Sequence, residues 1–261
     1  MQEASPNGVH LIAMSIGNTR CSFALCRGRD VGSVRSEPIE ACEGVLDGMR
    51  ELLPTATSSL PVVYSSVNDG GGAALIERLE NDEYVSLYRV GSDVEIPLRH
   101  SLDDDNTTGV DRFLAALGAY SVLEQACVVI DAGTAVTVDF VDGEGTYHGG
   151  CILPGAQMML DALHEHTDAL PSLRFEADSG DVYPGTTRDS MLAGATRAIR
   201  GGVRHITEMY ALEYGAFPSV VATGGDAQAL FEGDELVERI VPDLVLRGIA
   251  ICADTALTQQ G

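Results

Sequence analysis

The sequence predicts an α/β protein of two related halves, each built on a mixed β-sheet. The first observation is a pair of look-alike turns. Ser15-Ile16-Gly17-Asn18-Thr19 follows the apolar run 9–14 and precedes the strand-like stretch 21–26. Asp131-Ala132-Gly133-Thr134-Ala135 follows the apolar run 126–130 and precedes the alternating stretch 136–141. Each reads as strand, tight glycine turn, strand. The second observation is that strands come in meander pairs and then alternate with helices, which implies mixed sheets. The third is that the linkers are short and free of low-complexity tracts. A chain of 261 residues then suits two domains of ordinary size closing on a cleft.

Element by element, the first half reads as strands at 9–14, 21–26, 61–66 and 84–89, with helices at 39–53 and 73–80. A turn-rich acidic segment, 101–108, leads into a helix with Phe113, Leu117 and Tyr120 on one apolar face. The second half reads as strands at 126–130, 135–141 and 146–153, then helices at 156–169 and 188–210. A short strand at 219–222 leads to Gly224-Gly225, and a last helix runs over 244–257.

Composition narrows the function classes. The formal charge is −23, from 16 basic and 39 acidic residues. That disfavours a nucleic-acid partner, because phosphate backbones need a positive surface. All the basic residues besides histidine are arginines; without a lysine, a P-loop and a Schiff-base mechanism are both excluded. No apolar run approaches the ~20 residues of a membrane span, and residues 1–8 lack a signal-peptide pattern. The six cysteines show no CxxC spacing. Cys21, Cys26, Cys127 and Cys151 lie in apolar, strand-like contexts and are expected as buried free thiols, in a reducing, cytoplasmic environment.

The two turns are the first candidate site. A glycine lets the backbone pass close to a ligand, and neighbouring Asn, Thr and main-chain N–H groups can receive phosphate oxygens. Asp131 ends an inward-driven strand, where it either faces a ligand or closes an Asx turn. Gly109-Val110-Asp111-Arg112 opens a helix. Thr108 and Asp111 fit a capping box, a structural role that is compatible with a carboxylate facing a cleft. Gly149-Gly150 and Pro154-Gly155 bracket a short apolar stretch, and Thr223-Gly224-Gly225-Asp226 makes a strand-to-helix turn. His148 reads as structural. His164-Glu165-His166 lacks metal-binding spacing on a helix and reads as solvated surface.

Taken in order and spacing, these segments resemble the type III pantothenate kinases, members of the acetate kinase/sugar kinase/Hsp70/actin superfamily. The similarity spans roughly residues 10 to 255. It implies two ribonuclease H-like domains of the actin-like ATPase superfamily, residues 1–118 and 119–261. It also implies ATP-dependent phosphorylation of pantothenate to 4′-phosphopantothenate, the first step of coenzyme A biosynthesis. By the same resemblance Asp111 is the general base, and Gly109, Arg112 and Thr187 bind pantothenate. Ser15, Gly17, Asn18, Thr19, Gly133 and Thr134 contact the ATP phosphates, Gly224 and Gly225 the adenosine, and Asp131 the metal. Magnesium or another divalent cation, potassium or ammonium as monovalent cation, and a homodimer are implied as well. One position departs from the family: its first motif normally begins with Asp, and here that residue is Ser15. A second reading keeps the scaffold and makes the chain a nucleotide-binding regulatory protein. Asp111, Arg112, Asp131 and Thr134 together favour the kinase, and Ser15 favours the alternative.

Overall fold

The computed structural model describes residues 10–52, 60–104 and 107–259. Residues 1–9, 53, 105 and 106, which enter expectations above, lie outside that set. The chain divides into two compact units. One comprises Met1–Leu98, Asp104–Gly118 and Asp243–Gly261; the other comprises Arg99–Asp103 and Ala119–Pro242. The last helix, expected with the second half, groups with the first.

In the first unit, β1 (His10–Ile16) pairs antiparallel with β2 (Arg20–Arg27), which also pairs with the short β3 (Asp30–Val31) and β4 (Arg35–Pro38). After α1 (Cys42–Leu52), β5 (Leu60–Ser66) joins β1 in parallel. After α2 (Asp69–Glu80), β6 (Val85–Arg89) joins β5 in parallel. The strand order is β3-β2-β1-β5-β6. Alternate side chains of β1 serve opposite faces, as the two-residue strand period requires. Ile12, Met14 and Ile16 pack with Phe23, Val45, Met49, Leu75 and Leu79. Leu11 and Ala13 pack with Leu114, Leu117, Leu246 and Ile249. These last four come from α3 (Val110–Leu123) and α7 (Leu244–Gln259). A β-carbon on Gly118 or Gly248 would run into the backbone of Leu244 or Leu114 respectively, so the two helices cross at glycines. The apolar face of α7 thereby completes the first unit's core.

The second unit repeats the scheme. Antiparallel β8 (Cys127–Ala132), β9 (Ala135–Val141) and β10 (Thr146–Pro154) are followed by α4 (Ala156–Glu165) and α5 (Thr187–Tyr214). Then β11 (Ser219–Thr223) joins β8 in parallel, followed by α6 (Ala227–Phe231) and β12 (Arg239–Ile240). A two-residue strand, β7 (Arg99–His100), adds to β10. The order is β12-β11-β8-β9-β10-β7. Val128, Ile130, Val136 and Val138 pack against Ile199 and Val203 of α5 and Leu230 of α6.

Several boundaries moved for local reasons. Helix α2 begins four residues before the expected start because Asn68 caps it, its Oδ1 accepting from Gly71 N at 2.8 Å. Helix α4 stops at Glu165, and the Thr167 hydroxyl donates to Leu163 O at 2.7 Å beyond it. Helix α5 runs one turn past its expected end, to a left-handed cap at Gly215. Helix α3 starts at Val110, so Gly109 rather than Thr108 adjoins its first turn. Cys151 is exposed, contrary to expectation, on a stretch of β10 that pairs with β9 alone among the described strands. Cys21, Cys127 and Cys252 are buried, and burial pushes their thiols up to about 12. No described helix is long and apolar enough to cross a membrane.

Candidate functional site

In the first unit the β1–β2 turn sits beside the end of β5. Ser15 pairs in register with Ser22 and Ser65, and Gly17 N donates to Arg20 O at 2.9 Å, closing the turn. Two ties hold it to the segment after β5. Val67 N donates to Ile16 O at 3.1 Å, and Asn68 Nδ2 donates to Asn18 O at 3.3 Å. Asn68 therefore caps α2 and pins the turn with one side chain. Asn18 and Thr19 are exposed, and Ser15 is half-buried with no side-chain hydrogen bond among the described residues. Sequence reasoning missed Asn68. Its signal was present: Asn-Asp before three glycines, at the place that Gly224-Gly225-Asp226 occupies in the second half.

Asp111 is the second residue of α3, where the dipole favours an anion. Its Oδ1 accepts from Arg112 N at 2.9 Å, so the carboxylate folds back over its own helix start. A β-carbon on Gly109 would lie 2.5 Å from that oxygen, so glycine leaves the Asp111 carboxylate room to sit over the helix start. Asp111 and Arg112 are half-buried neighbours, a carboxylate and a guanidinium fork presented by one rigid turn.

In the second unit Asp131 pairs in register with Thr137 of β9 and Thr223 of β11. Its topological place is that of Ser15. Gly133 N donates to Ala135 O at 3.0 Å, and Gly155 N donates to Thr134 O at 3.1 Å, so the Pro154-Gly155 loop braces the turn. Gly224 is in the left-handed region, φ +97°, and a β-carbon there would lie 2.5 Å from Asp131 Oδ1. Asp226 N donates to Ala132 O at 2.9 Å. The structure thus brings Asp131, Gly133, Thr134, Gly224 and Gly225 together within one unit. The Asp226 carboxyl is half-buried without a hydrogen-bond partner among the described residues, and burial raises its pKa. Sequence reasoning left its side chain without a role.

Thr187 opens α5. The neighbouring Thr186 is the cap, accepting from Asp189 N at 3.1 Å, which leaves Thr187 exposed at the rim of a cavity of about 760 Å³ between α4 and α5. Met158, Met159, Leu163 and Met191 line that cavity. His164 and His166 are exposed, and His164 Nδ1 lies 2.8 Å from Leu170 O.

The donors around the second turn (Asp131, Thr134, Asp226) are all oxygens, the ligands of a hard cation. Among the described residues no group of three His, Cys, Asp or Glu side chains is arranged to hold a metal alone. That set fits magnesium, which takes one or two carboxylates and completes its shell with water and phosphate oxygens.

The family model for type III pantothenate kinase matches residues 11–209. The chain belongs to that family. A type III pantothenate kinase from Akkermansia muciniphila is 40% identical over 242 residues, 90% of this chain and 95% of that one. Another, from Chlorobium luteolum, is 31% identical over 255 residues, 95% and 94% of the two chains. Among solved structures, an activator of 2-hydroxyisocaproyl-CoA dehydratase from Clostridium difficile with bound ADPNP aligns at a TM-score of 0.56. Its identity is 15%, covering 97% of each chain, so the likeness concerns fold. This pantothenate kinase family member thus shares its fold, two mixed sheets flanked by helices, with that activator. It is an enzyme, a phosphotransferase by family.

Proposed function

We propose that the chain transfers the γ-phosphoryl group of ATP to the terminal hydroxyl of pantothenate, giving 4′-phosphopantothenate, and that Asp111 is the general base. The observation that carries the assignment is the carboxylate folded over Gly109 and held by Arg112 N at 2.9 Å. It is rigid, at a helix start, beside an arginine. The pantothenate oxygen attacks phosphorus, the bond from phosphorus to the bridging oxygen of ADP breaks, and the hydroxyl proton passes to Asp111. Arg112, with Gly109 and Thr187, binds pantothenate; its fork suits a carboxylate.

Ser15, Gly17, Asn18 and Thr19 in the first unit, and Gly133 and Thr134 in the second, receive phosphate oxygens. Gly224 and Gly225 offer bare backbone to the adenosine. Asp131 would hold magnesium, which would supply charge neutralisation on the phosphates. A monovalent cation, potassium or ammonium, belongs near the same turn by family resemblance.

A homodimer is part of the proposal by family resemblance, and Met158, Leu163, Met209 and Leu212, exposed apolar side chains on α4 and α5, are its candidate contacts. The cysteines, all free, support a cytoplasmic location.

The test is a coupled ADP-release assay with ATP, magnesium and potassium, run with and without pantothenate. Release should depend on pantothenate and fall ~100- to 10,000-fold in Asp111→Asn, with melting temperature nearly unchanged. A folded Asp111→Asn protein turning over at the wild-type rate removes the base assignment. Activity lost only in proportion to stability reduces Asp111 to a helix-start residue.

A further inference from the structure

The second unit contains a cavity that phosphoryl transfer does not use. It lies at the far end of the β9–β10 hairpin, against the last turns of α5, and measures about 480 Å³. Phe140, His148, Tyr210 and Tyr214 supply rings to its lining, and Asp142 and Glu213 supply carboxylates. The phosphate turn precedes Ala135, and Phe140 and Asp142 lie at the other end of β9, roughly 20 Å away at the rise of an extended strand.

The walls are preformed. The ring of Phe140 has the rings of Tyr214, His148 and Tyr210 around it, with centroids at 5.2, 5.7 and 5.8 Å. Each neighbour is fixed by a hydrogen bond. The Tyr210 hydroxyl donates to Val138 O at 3.2 Å, and Gly143 N donates to the Tyr214 oxygen at 3.2 Å. His148 is held from both sides, Nδ1 at 2.9 Å from Ser101 Oγ and Nε2 at 2.8 Å from Asp142 Oδ2. Asp142 also accepts from Glu144 N and Thr146 N at 2.9 Å. Burial alone would raise its pKa, but these bonds prevail and lower it, so the charge persists. Glu213 has neither hydrogen bond nor ion pair among the described residues. No arginine lines the cavity.

Ordered aromatic rings, an uncompensated carboxylate and the absence of a resident cation describe a receptor for positive charge. We propose that this cavity binds a small organic cation, an ammonium bearing alkyl groups, with Glu213 as its counter-charge and the rings as its walls. Alkylated ammonium is attracted to the negative faces of aromatic rings. A hard metal ion would instead need several oxygen ligands, and no such cluster occurs among the described residues. An anion would meet two carboxylates within a chain of net charge −23. The proposal is independent of the kinase reading, since binding is measured without ATP or pantothenate.

The test uses the full chain and tetramethylammonium chloride as probe, against sodium chloride at equal ionic strength. Binding is followed by titration calorimetry and by tyrosine emission, which tryptophan does not mask in this chain. Tetramethylammonium should bind at least ~10-fold more tightly than sodium. Glu213→Gln should weaken it about 10-fold with an unchanged melting curve, because Glu213 is exposed. Tyr214→Leu should abolish the preference over sodium. Equal responses to the two salts, or an affinity indifferent to Glu213→Gln, would overturn the proposal. Should Tyr214→Leu melt early, the Glu213→Gln arm decides.

Discussion

Two glycine turns occupy the same place in the same sheet topology, one in each unit, yet they are built from different materials. Both follow a central strand that is antiparallel to the next strand and parallel to a later one. The strand residue at the corresponding position is neutral Ser15 in the first unit and acidic Asp131 in the second. The first turn is longer by one residue, Gly17-Asn18-Thr19 against Gly133-Thr134, and a side chain, Asn68, ties it down. The second is tied by backbone, through Gly155 N and Asp226 N. Topology was duplicated and negative charge was not. Under the proposed function, the difference predicts a division of labour in which the second turn would carry the cation and the first would receive phosphate oxygens only.

The largest effect should come from removing the charge where it exists. Asp131→Asn is expected to lower phosphoryl transfer on the order of 100-fold and to raise the magnesium needed for half-maximal rate. A kinetic titration with magnesium reads both; an unchanged magnesium requirement would erase the contrast between the turns. Restoring a carboxylate in the first turn is the converse experiment. Ser15→Asp should raise the rate several-fold and lower the magnesium requirement, by adding a second hard ligand. Activity unchanged or reduced at every magnesium concentration would show that the serine turn works as it stands.

A smaller effect is expected from the tie that only the first turn has. Asn68→Ala removes the cap of α2 and the bond to Asn18 O, and should cost about 1 kcal/mol by urea denaturation. Stability equal to wild type would mean that water replaces both bonds. The smallest concerns Asp226, whose carboxyl pKa is raised by burial. The unfolded chain ionises first as pH rises, so this group's favourable contribution is present below the ordinary value of 3.8 and is lost as pH passes the folded value. Asp226→Asn should therefore melt slightly higher than wild type at pH 7, with the gain vanishing in acid. A variant that is less stable at pH 7 would reveal a favourable partner for the carboxylate.

The residues of the second turn were legible because their signals are local. Apolar runs, a glycine, and the Asp and Thr around it fall within a few positions, and the strands they predict are the ones found. Asp111 was legible for the same reason, as an acid at a helix start, although the helix begins after Gly109 rather than Thr108. Asn68 was legible only as a helix cap, from Asn-Asp before three glycines; its tie to Asn18, 50 positions earlier, was not. Asp226 was passed over because nothing in its neighbours' identities reveals that burial leaves it unpartnered.

By itself the sequence determined the class of fold, the central strands, most helices and the two turns, since hydrophobic period, caps and glycines act within a turn or a strand. Tertiary structure alone decided the rest. The short strands β3, β4, β7 and β12 exist only because a neighbouring strand offers hydrogen bonds; two to four residues cannot announce that. Cys151 is exposed because β10 has no long partner on its outer side among the described strands. Helix α7, last in the chain, completes the core of the first unit because its glycine face fits α3 and its apolar face fits β1. That choice depends on surfaces formed more than a hundred residues earlier in the chain, which no local pattern can encode.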